Sequence, residues 1–178
     1  MNSPPKIPHI KEADWFLLME NEIVKWFDHI QQPRAELGGS SICPFAKAAI
    51  SAKQYNISNS SVDHIHLDVE TCDIVKYKVC IFILPEYKQY SETCLSALTT
   101  ELNNQFRLYD KVVLDNDPRK PFIINGVTTS FEHSYLWIVQ SLSDLSQKYE
   151  MLKKSKYYTY WTQDQIDEVV TWRNQSMQ

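Results

Sequence analysis

The residue of this chain whose type and position most directly predict chemistry is Cys43. Pro44 follows it and suits the first position of a helix predicted over residues 44–53, which places Cys43 at or next to the helix N-cap. Unpaired N–H groups and the positive helix end stabilise a thiolate there, and can lower a thiol pKa from about 8.5 to about 3.5–7.5. The alternative is a small buried residue that seals the helix against a sheet.

A second candidate is a metal site on residues 64–69. Apolar and polar residues alternate strictly along this segment, which predicts a half-buried strand. A His-x-His pair on a strand projects both imidazoles to the same side, and metal sites use such pairs. The candidate ligands are His64, His66 and Asp68. The alternative is the solvated face of an edge strand, which explains the alternation without any ion.

His133 is a candidate acid–base residue because it follows Glu132 in a polar segment before a predicted strand, and imidazole titrates near neutral pH. A polar loop explains the same pair without chemistry. Residues 153–161 mix lysines with aromatic residues, a pattern that could stack nucleic-acid bases. A helix end followed by aromatics packed on the domain also explains it, and the net charge of −4 argues against a nucleic-acid partner.

The composition restricts the remaining function classes. The chain has three glycines, where average usage of about 7% would give about twelve, and it lacks the glycine spacing of phosphate-binding loops. We expect a cytoplasmic protein, because the chain shows neither a signal-peptide core nor a membrane span, and in such a chain four cysteines without a C-x-x-C pair favour free thiols. No apolar run is long enough to cross a membrane. Residues 1–10 are rich in Pro, lack a signal-peptide core and predict an extended arm.

Hydrophobic spacing predicts the elements that must position these side chains. Residues 55–61 are polar and predict a loop, and residues 122–127 predict an extended segment. Thr162 and Gln165 form a capping box for the last helix. The predicted helices cover residues 11–32, 44–53, 91–107, 143–156 and 162–172, and the predicted strands cover residues 64–69, 75–84, 111–114 and 135–140.

This order predicts a single α+β domain over residues 11–178. We expect an antiparallel or mixed sheet of about four strands with helices packed on it, ferredoxin-like or a permutation of that arrangement. The second half of the segment 75–84 is apolar at every position, so we expect a central strand covered on both faces.

A resemblance to a known family rests on the stretch Ser41-Ile42-Cys43-Pro44-Phe45-Ala46-Lys47-Ala48 after a Trp-bearing helix, and on a strand ending in Pro over residues 81–85. The chain resembles an uncharacterised bacterial protein family of similar length, which carries Leu-Cys-Pro-Phe-Ala near its N-terminus. It departs from that family at Gln140 and Ser141, where the family strand has Arg and Glu. The resemblance implies that Cys43 is a site position and implies no particular reaction.

Two functional hypotheses follow. The first is a small cytoplasmic protein with a Cys43-centred site for a small-molecule ligand, a redox reaction or a metal, with His64, His66 or His133 as helpers. No cofactor is specified. The second is a non-catalytic interaction domain or homodimer, since the aromatic residues could leave one face free for a partner.

Overall fold

The elements of the fold are described from a computed structural model covering residues 12–172, so the predicted arm at residues 1–10 lies outside the described residues. A π-helical turn, Asp167–Thr171, continues the last helix. The helices are α1 (Glu12–Gln31), α2 (Ala46–Ser51), α3 (Ile65–Thr71), α4 (Glu92–Phe106), α5 (Leu142–Lys153) and α6 (Gln163–Ile166). The strands are β1 (Tyr55–Asn59), β2 (Val79–Leu84), β3 (Lys111–Asn116), β4 (Ile123–Ile124), β5 (Val127–Thr128) and β6 (Tyr135–Ser141).

A mixed sheet of four strands in the order β1-β2-β6-β3 forms the centre of the fold. β1 runs parallel to β2, whereas β6 is antiparallel to both of its neighbours, β2 and β3. β2, α4 and β3 therefore form a β-α-β unit that is split by the insertion of β6. The α+β class and the mixed sheet are confirmed, whereas the strand order and the parallel β1–β2 pair do not confirm the ferredoxin-like arrangement.

The two faces of the sheet carry separate hydrophobic cores, because successive side chains of a strand point to opposite sides. The closed face consists of Cys80, Phe82, Leu84, Val113, Tyr135, Trp137 and Val139, and it is covered by α3 and α4. The cleft face consists of Tyr55, Ile57, Val79, Ile81, Ile83, Leu136 and Ile138, and it is covered by α1, α2 and the β4–β5 hairpin. β2 is buried from Cys80 to Leu84, which confirms the predicted central strand.

Several predicted helices are confirmed by the contacts that begin or bury them. The apolar stripe of α1 is buried at Met19, Ile23, Phe27 and Ile30. Ser91 begins α4 by accepting a hydrogen bond from the Cys94 backbone N–H at 3.1 Å. The capping box of Thr162 and Gln165 is present at the start of α6. α5 begins earlier than predicted, because Ser141 rather than Ser143 caps it.

The strand prediction for residues 64–69 is wrong, because this segment forms α3. Ile65 and Val69 are fully buried whereas Leu67 is 56% exposed, so burial follows a spacing of four residues and not of two. The loop prediction for residues 55–61 is also wrong, because β1 pairs with β2 along its whole length. The polar side chains of this segment gave no strand pattern in the sequence, because the strand forms by backbone pairing at the edge of the sheet.

The extended segment predicted at residues 122–127 is divided by a turn. β4 and β5 pair as a short antiparallel hairpin around Asn125 and Gly126, which adopt φ values of 46° and 81°. Asn-Gly favours such two-residue turns because both central residues need positive φ. Gly126 is therefore part of a hairpin signal, and the hairpin covers one part of the cleft face.

Candidate functional site

A cavity of about 390 Å³ lies on the cleft face. Its floor is formed by Ile81, Leu114 and Ile138 of three adjacent strands, and Ile50 and Ala49 of α2 form one wall. The aromatic residues that line it are Trp26, Phe27, Phe45, Tyr55, Phe122, Trp161 and Trp172. Ligand sites in proteins have this character, being concave and largely apolar with a few polar groups.

The loop between α1 and α2 fixes the mouth of the cleft. The backbone N–H of Cys43 donates to the Ile30 carbonyl at the end of α1 at 2.8 Å, and the Tyr157 hydroxyl donates to the Ile42 carbonyl. Gly38 has a φ of 63°, and a Cβ there would lie 2.8 Å from the Tyr160 ring. The aromatic turn Tyr157–Tyr160 is therefore packed against this loop, and it leads directly to Trp161 in the cavity wall.

Cys43 lies in the wall of the cleft, half-buried. The helix begins at Ala46 with Phe45 as its N-cap, so the predicted start at Pro44 is two residues early. Burial raises the pKa of the Cys43 thiol, against the opposing effect of backbone hydrogen bonds from Phe45 and Ala46 and the charge of Lys148. The N–H groups expected to stabilise a thiolate are present, but desolvation outweighs them.

The charged groups of the cleft are distributed unevenly. Lys148 lies with its Nζ 5.0 Å from the centre of the Phe45 ring, and its charge reaches Cys43. Within residues 12–172, no carboxylate forms an ion pair with Lys148, whereas Lys78 pairs with Asp144 at 3.2 Å. The lining also includes the carboxylates Asp115, Asp117 and Glu168, but Lys120 lines the cavity beside Asp115 and Asp117, and Arg119 pairs with Asp117 at 2.6 Å. Lys120 itself pairs with Glu92 at 3.0 Å, so Lys148 is the lysine of the lining that no described carboxylate pairs with.

His133 is not brought to Cys43. It lines a smaller cavity, where its Nε2 lies 3.6 Å from a Glu22 carboxylate oxygen and its ring contacts Phe131 edge-on. Trp26 and Ser130 line both cavities, so these two residues lie between the cavity that contains Cys43 and the cavity that contains His133. His133 therefore lies beside the Glu22 carboxylate, and no described cysteine lines its cavity.

The candidate ligands His64, His66 and Asp68 do not converge as a set, because the segment is helical and His66 points to a different side of the helix from the other two. His64 contacts Ser61 at 2.8 Å, and His66 contacts Gln105 of α4 at 3.0 Å. No group of three or more His, Cys, Asp or Glu side chains in the described part of the chain is arranged to hold a metal ion. The geometry assumed for the metal site is thus wrong.

Sequence reasoning missed most of the residues that form the cleft. Lys148, Trp161 and Trp172 come from the C-terminal part of the chain, and only the folded topology brings them to Cys43. A partial signal existed in residues 153–161, since aromatics packed on the domain were one of the two expectations for that segment. Trp161 contacts Phe122 and Tyr157, with ring centres 5.8 Å apart in each pair, which is the arrangement that this expectation describes.

Comparisons with known proteins give no relative for this chain. No family model, no curated protein and no solved structure matches it. The resemblance to the bacterial family with the Leu-Cys-Pro-Phe-Ala motif therefore stays a prediction. Among the described helices, none is long and apolar enough to cross a membrane.

Proposed function

We propose that this protein binds a small amphiphilic molecule, an apolar body with one acidic group, in the cleft beside Cys43. The observation that supports this function is the apolar cavity of about 390 Å³ with an ammonium group, Lys148, at one end. Pockets of about 300–1,000 Å³ with few polar groups are typical small-molecule sites. Burial of apolar ligand surface contributes about 25 cal/mol per Å² before the costs of association are subtracted.

The charge distribution orients the ligand. An acidic group placed near Lys148 gains a cationic partner that no described carboxylate neutralises. The same group placed beside Asp115 or Glu168 would face a carboxylate instead. We therefore place the apolar body of the ligand against Trp26, Phe122 and Trp161.

In this proposal Cys43 is a wall residue and not a nucleophile, because burial raises the pKa of its thiol. His133 has no role in the site, since it lies in the other cavity. The four cysteines are free thiols, as expected for the cytoplasmic location that we propose. The competing function, a non-catalytic interaction domain or homodimer, stays a prediction that the oligomeric state tests.

The proposal can be tested by tryptophan fluorescence, because Trp26, Trp161 and Trp172 line the cavity. The probes are decanoate, decyltrimethylammonium and 1-decanol, titrated below their aggregation limits. We expect decanoate to bind at least about tenfold more tightly than the ammonium probe, a difference of about 1.4 kcal/mol. Lys148→Met should weaken decanoate and leave 1-decanol unchanged, with Lys47→Met, an exposed residue of α2, as the matched control.

A second pair of variants locates the site. Ala49 lines the cavity, whereas Ala48 is exposed on the same helix and lies outside the cavity lining, so both can be replaced by Phe. We expect Ala49→Phe to abolish decanoate binding by filling the cavity, and Ala48→Phe to bind as the wild type does. Equal binding by both folded variants, or no binding of any probe to the wild type, would show that the cleft is not this site. A stable dimer that shields the three tryptophans from acrylamide would favour the competing function.

A further inference from the structure

Two other cysteines lie together on the closed face. Cys72 ends α3 as its C-terminal cap, and Cys80 belongs to the central strand β2. Cys80 is 1% exposed, and Cys72 is half-buried against the same hydrophobic cluster. Their thiols interact, so that the ionisation of one affects the other. Chain folding thus brings together a pair of thiols that the sequence spacing did not single out.

A buried lysine stands beside this pair. Lys111 begins β3 and is 8% exposed, and its Nζ donates to the carbonyl oxygens of Val69 and Glu70 at 2.7 and 2.6 Å. A buried ammonium is costly unless it is paired, and the negative end of α3 supplies acceptors for it. The Cys72 Sγ donates to the same Val69 carbonyl at 3.3 Å. The Cys72 thiol and the Lys111 ammonium group therefore lie next to each other, because both donate to the Val69 carbonyl.

The surroundings separate the two thiols chemically. The neighbouring Cys80 thiol lowers the pKa of Cys72, and Lys111 lowers it further, while burial and Asp73 act in the opposite direction. The sum of these effects is a lowered pKa for the Cys72 thiol. The pKa of Cys80 is raised, first by its interaction with Cys72 and then by burial. When Cys72 ionises, its bond to Val69 is lost, but that carbonyl keeps its bond from Lys111.

We propose that Cys72 and Cys80 form a peroxide-reactive dithiol, in which Cys72 is oxidised first and Cys80 then closes a disulfide with it. The arrangement supports this assignment in three ways. Cys72 is the more accessible of the two thiols, Lys111 supplies a fixed positive charge beside it on the Val69 carbonyl, and Cys80 packs in the same hydrophobic cluster. Redox-reactive cysteines in proteins share this combination of thiolate character, access and a resolving partner.

The reaction takes place in two balanced steps, with a hydroperoxide as the oxidant. The Cys72 thiolate attacks one peroxide oxygen, the O–O bond breaks, and the leaving alkoxide or hydroxide takes a proton from solvent. Cys72 loses two electrons and becomes a sulfenic acid. The Cys80 sulfur then attacks the Cys72 sulfur, an S–S bond forms, and the sulfenic oxygen leaves as water with the proton from Cys80.

The test uses the full chain, treated with one equivalent of hydrogen peroxide and digested without reduction. Mass spectrometry should find a Cys72–Cys80 disulfide, formed at least about tenfold faster than oxidation of the exposed Cys94. In Cys80→Ser, Cys72 should accumulate as a sulfenic acid that dimedone traps, whereas Cys72→Ser should form neither product. A Cys43→Ser, Cys94→Ser double variant should oxidise like the wild type. Oxidation of Cys43 or Cys94 before Cys72 would overturn the proposal, as would a sulfenic acid at Cys72 that persists while Cys80 is present.

The role of Lys111 has its own test. Lys111→Met should slow peroxide-driven formation of the Cys72–Cys80 disulfide at neutral pH and move its pH midpoint upward, while Lys154→Met, an exposed control, should change neither. Since a buried variant can fail to fold, circular dichroism is recorded first. The wild-type pH profile provides the second measurement, for which we expect a Cys72 midpoint below the ordinary thiol value of about 8.5. A wild-type midpoint at or above that value would contradict the proposal.

Discussion

The two faces of the sheet each place a cysteine at one end of a short helix, and the two cysteines differ in the direction of their pKa shifts. Cys43 precedes α2, at the end where the helix dipole favours a thiolate, yet its thiol pKa is raised. Cys72 ends α3, at the end where the dipole disfavours a thiolate, yet its thiol pKa is lowered. A helix end contributes about 0.3–1 kcal/mol, whereas desolvation and close partners can shift a pKa by several units.

The packing around the two cysteines differs as well. On the closed face, α3 and α4 cover the strands, and Leu95, Leu102 and Trp137 are fully buried. On the cleft face, α2 stands away from the floor residues, which leaves the cavity that Cys43 lines. The same sheet therefore supports a dense core on one side and an open site on the other. We infer that a truncation in the closed face costs more stability than a truncation beside the cavity.

The largest expected effect tests this division by comparing core truncations on the two faces. Leu102→Ala should lower the free energy of unfolding by about 2–5 kcal/mol, because it opens a cavity in a fully packed core. Ile50→Ala should cost less, since Ile50 is half-buried and already borders open space. Urea unfolding monitored by circular dichroism measures both. An equal loss for the two variants would mean that the cleft face contributes as much to stability as the closed face does.

A smaller effect is expected for the reactivity of the two thiols. In the folded protein at pH 7.5, iodoacetamide should alkylate Cys72 at least about tenfold faster than Cys43, because only the thiolate reacts and Cys72 ionises more readily. Peptide mass spectrometry quantifies each site, and exposed Cys94 serves as the accessible reference. Saturating decanoate should slow Cys43 further and leave Cys72 unchanged. If Cys43 reacts faster than Cys72, the contrast between the faces is wrong.

The smallest expected effect is on the pH dependence of stability. The folded-state pKa of Cys43 is raised above its unfolded value of about 8.5, so its contribution is fully present below pH 8.5 and is lost as the pH rises. Cys43→Ala should therefore lose less stability between pH 8.5 and 9.5 than the wild type, by up to about 1 kcal/mol. Urea unfolding under reducing conditions at the two pH values provides the measurement. Cys94→Ala is the control, and a Cys43→Ala variant with the wild-type pH slope would show that burial does not shift this thiol.

Local patterns predicted those elements whose own residues define them. The stripe of α1, the buried strand β2 and the capping box at Thr162 each carry their signal within a few residues. The strand prediction for residues 64–69 failed because Ile65 and Val69 fit the buried face of a strand and that of a helix equally well. The packing of these two residues against α4 selects the helix. β1 carried no signal because an edge strand with polar side chains is specified by the backbone groups of β2.

The candidate site was predicted in part. Cys43 does line the cleft, but burial raises the pKa of its thiol, whereas its place beside a helix start favoured a lowered pKa. His64, His66 and Asp68 depended on a strand that does not form, and His133 is directed to another cavity. The pairing of Cys72 with Cys80 and Lys111 had no signal in the spacing, because it joins a helix end to two separate strands.

The sequence by itself determined an α+β chain with few glycines, an acidic balance, a buried central strand and amphipathic helices to cover it. These properties depend on composition and on periodicity over short segments. Only the tertiary structure decided which helix covers which face, where the cleft opens and which thiol ionises. The physical reason is that burial and electrostatic neighbours are set by residues far apart in the chain, and these contributions exceed the local preference of any helix end.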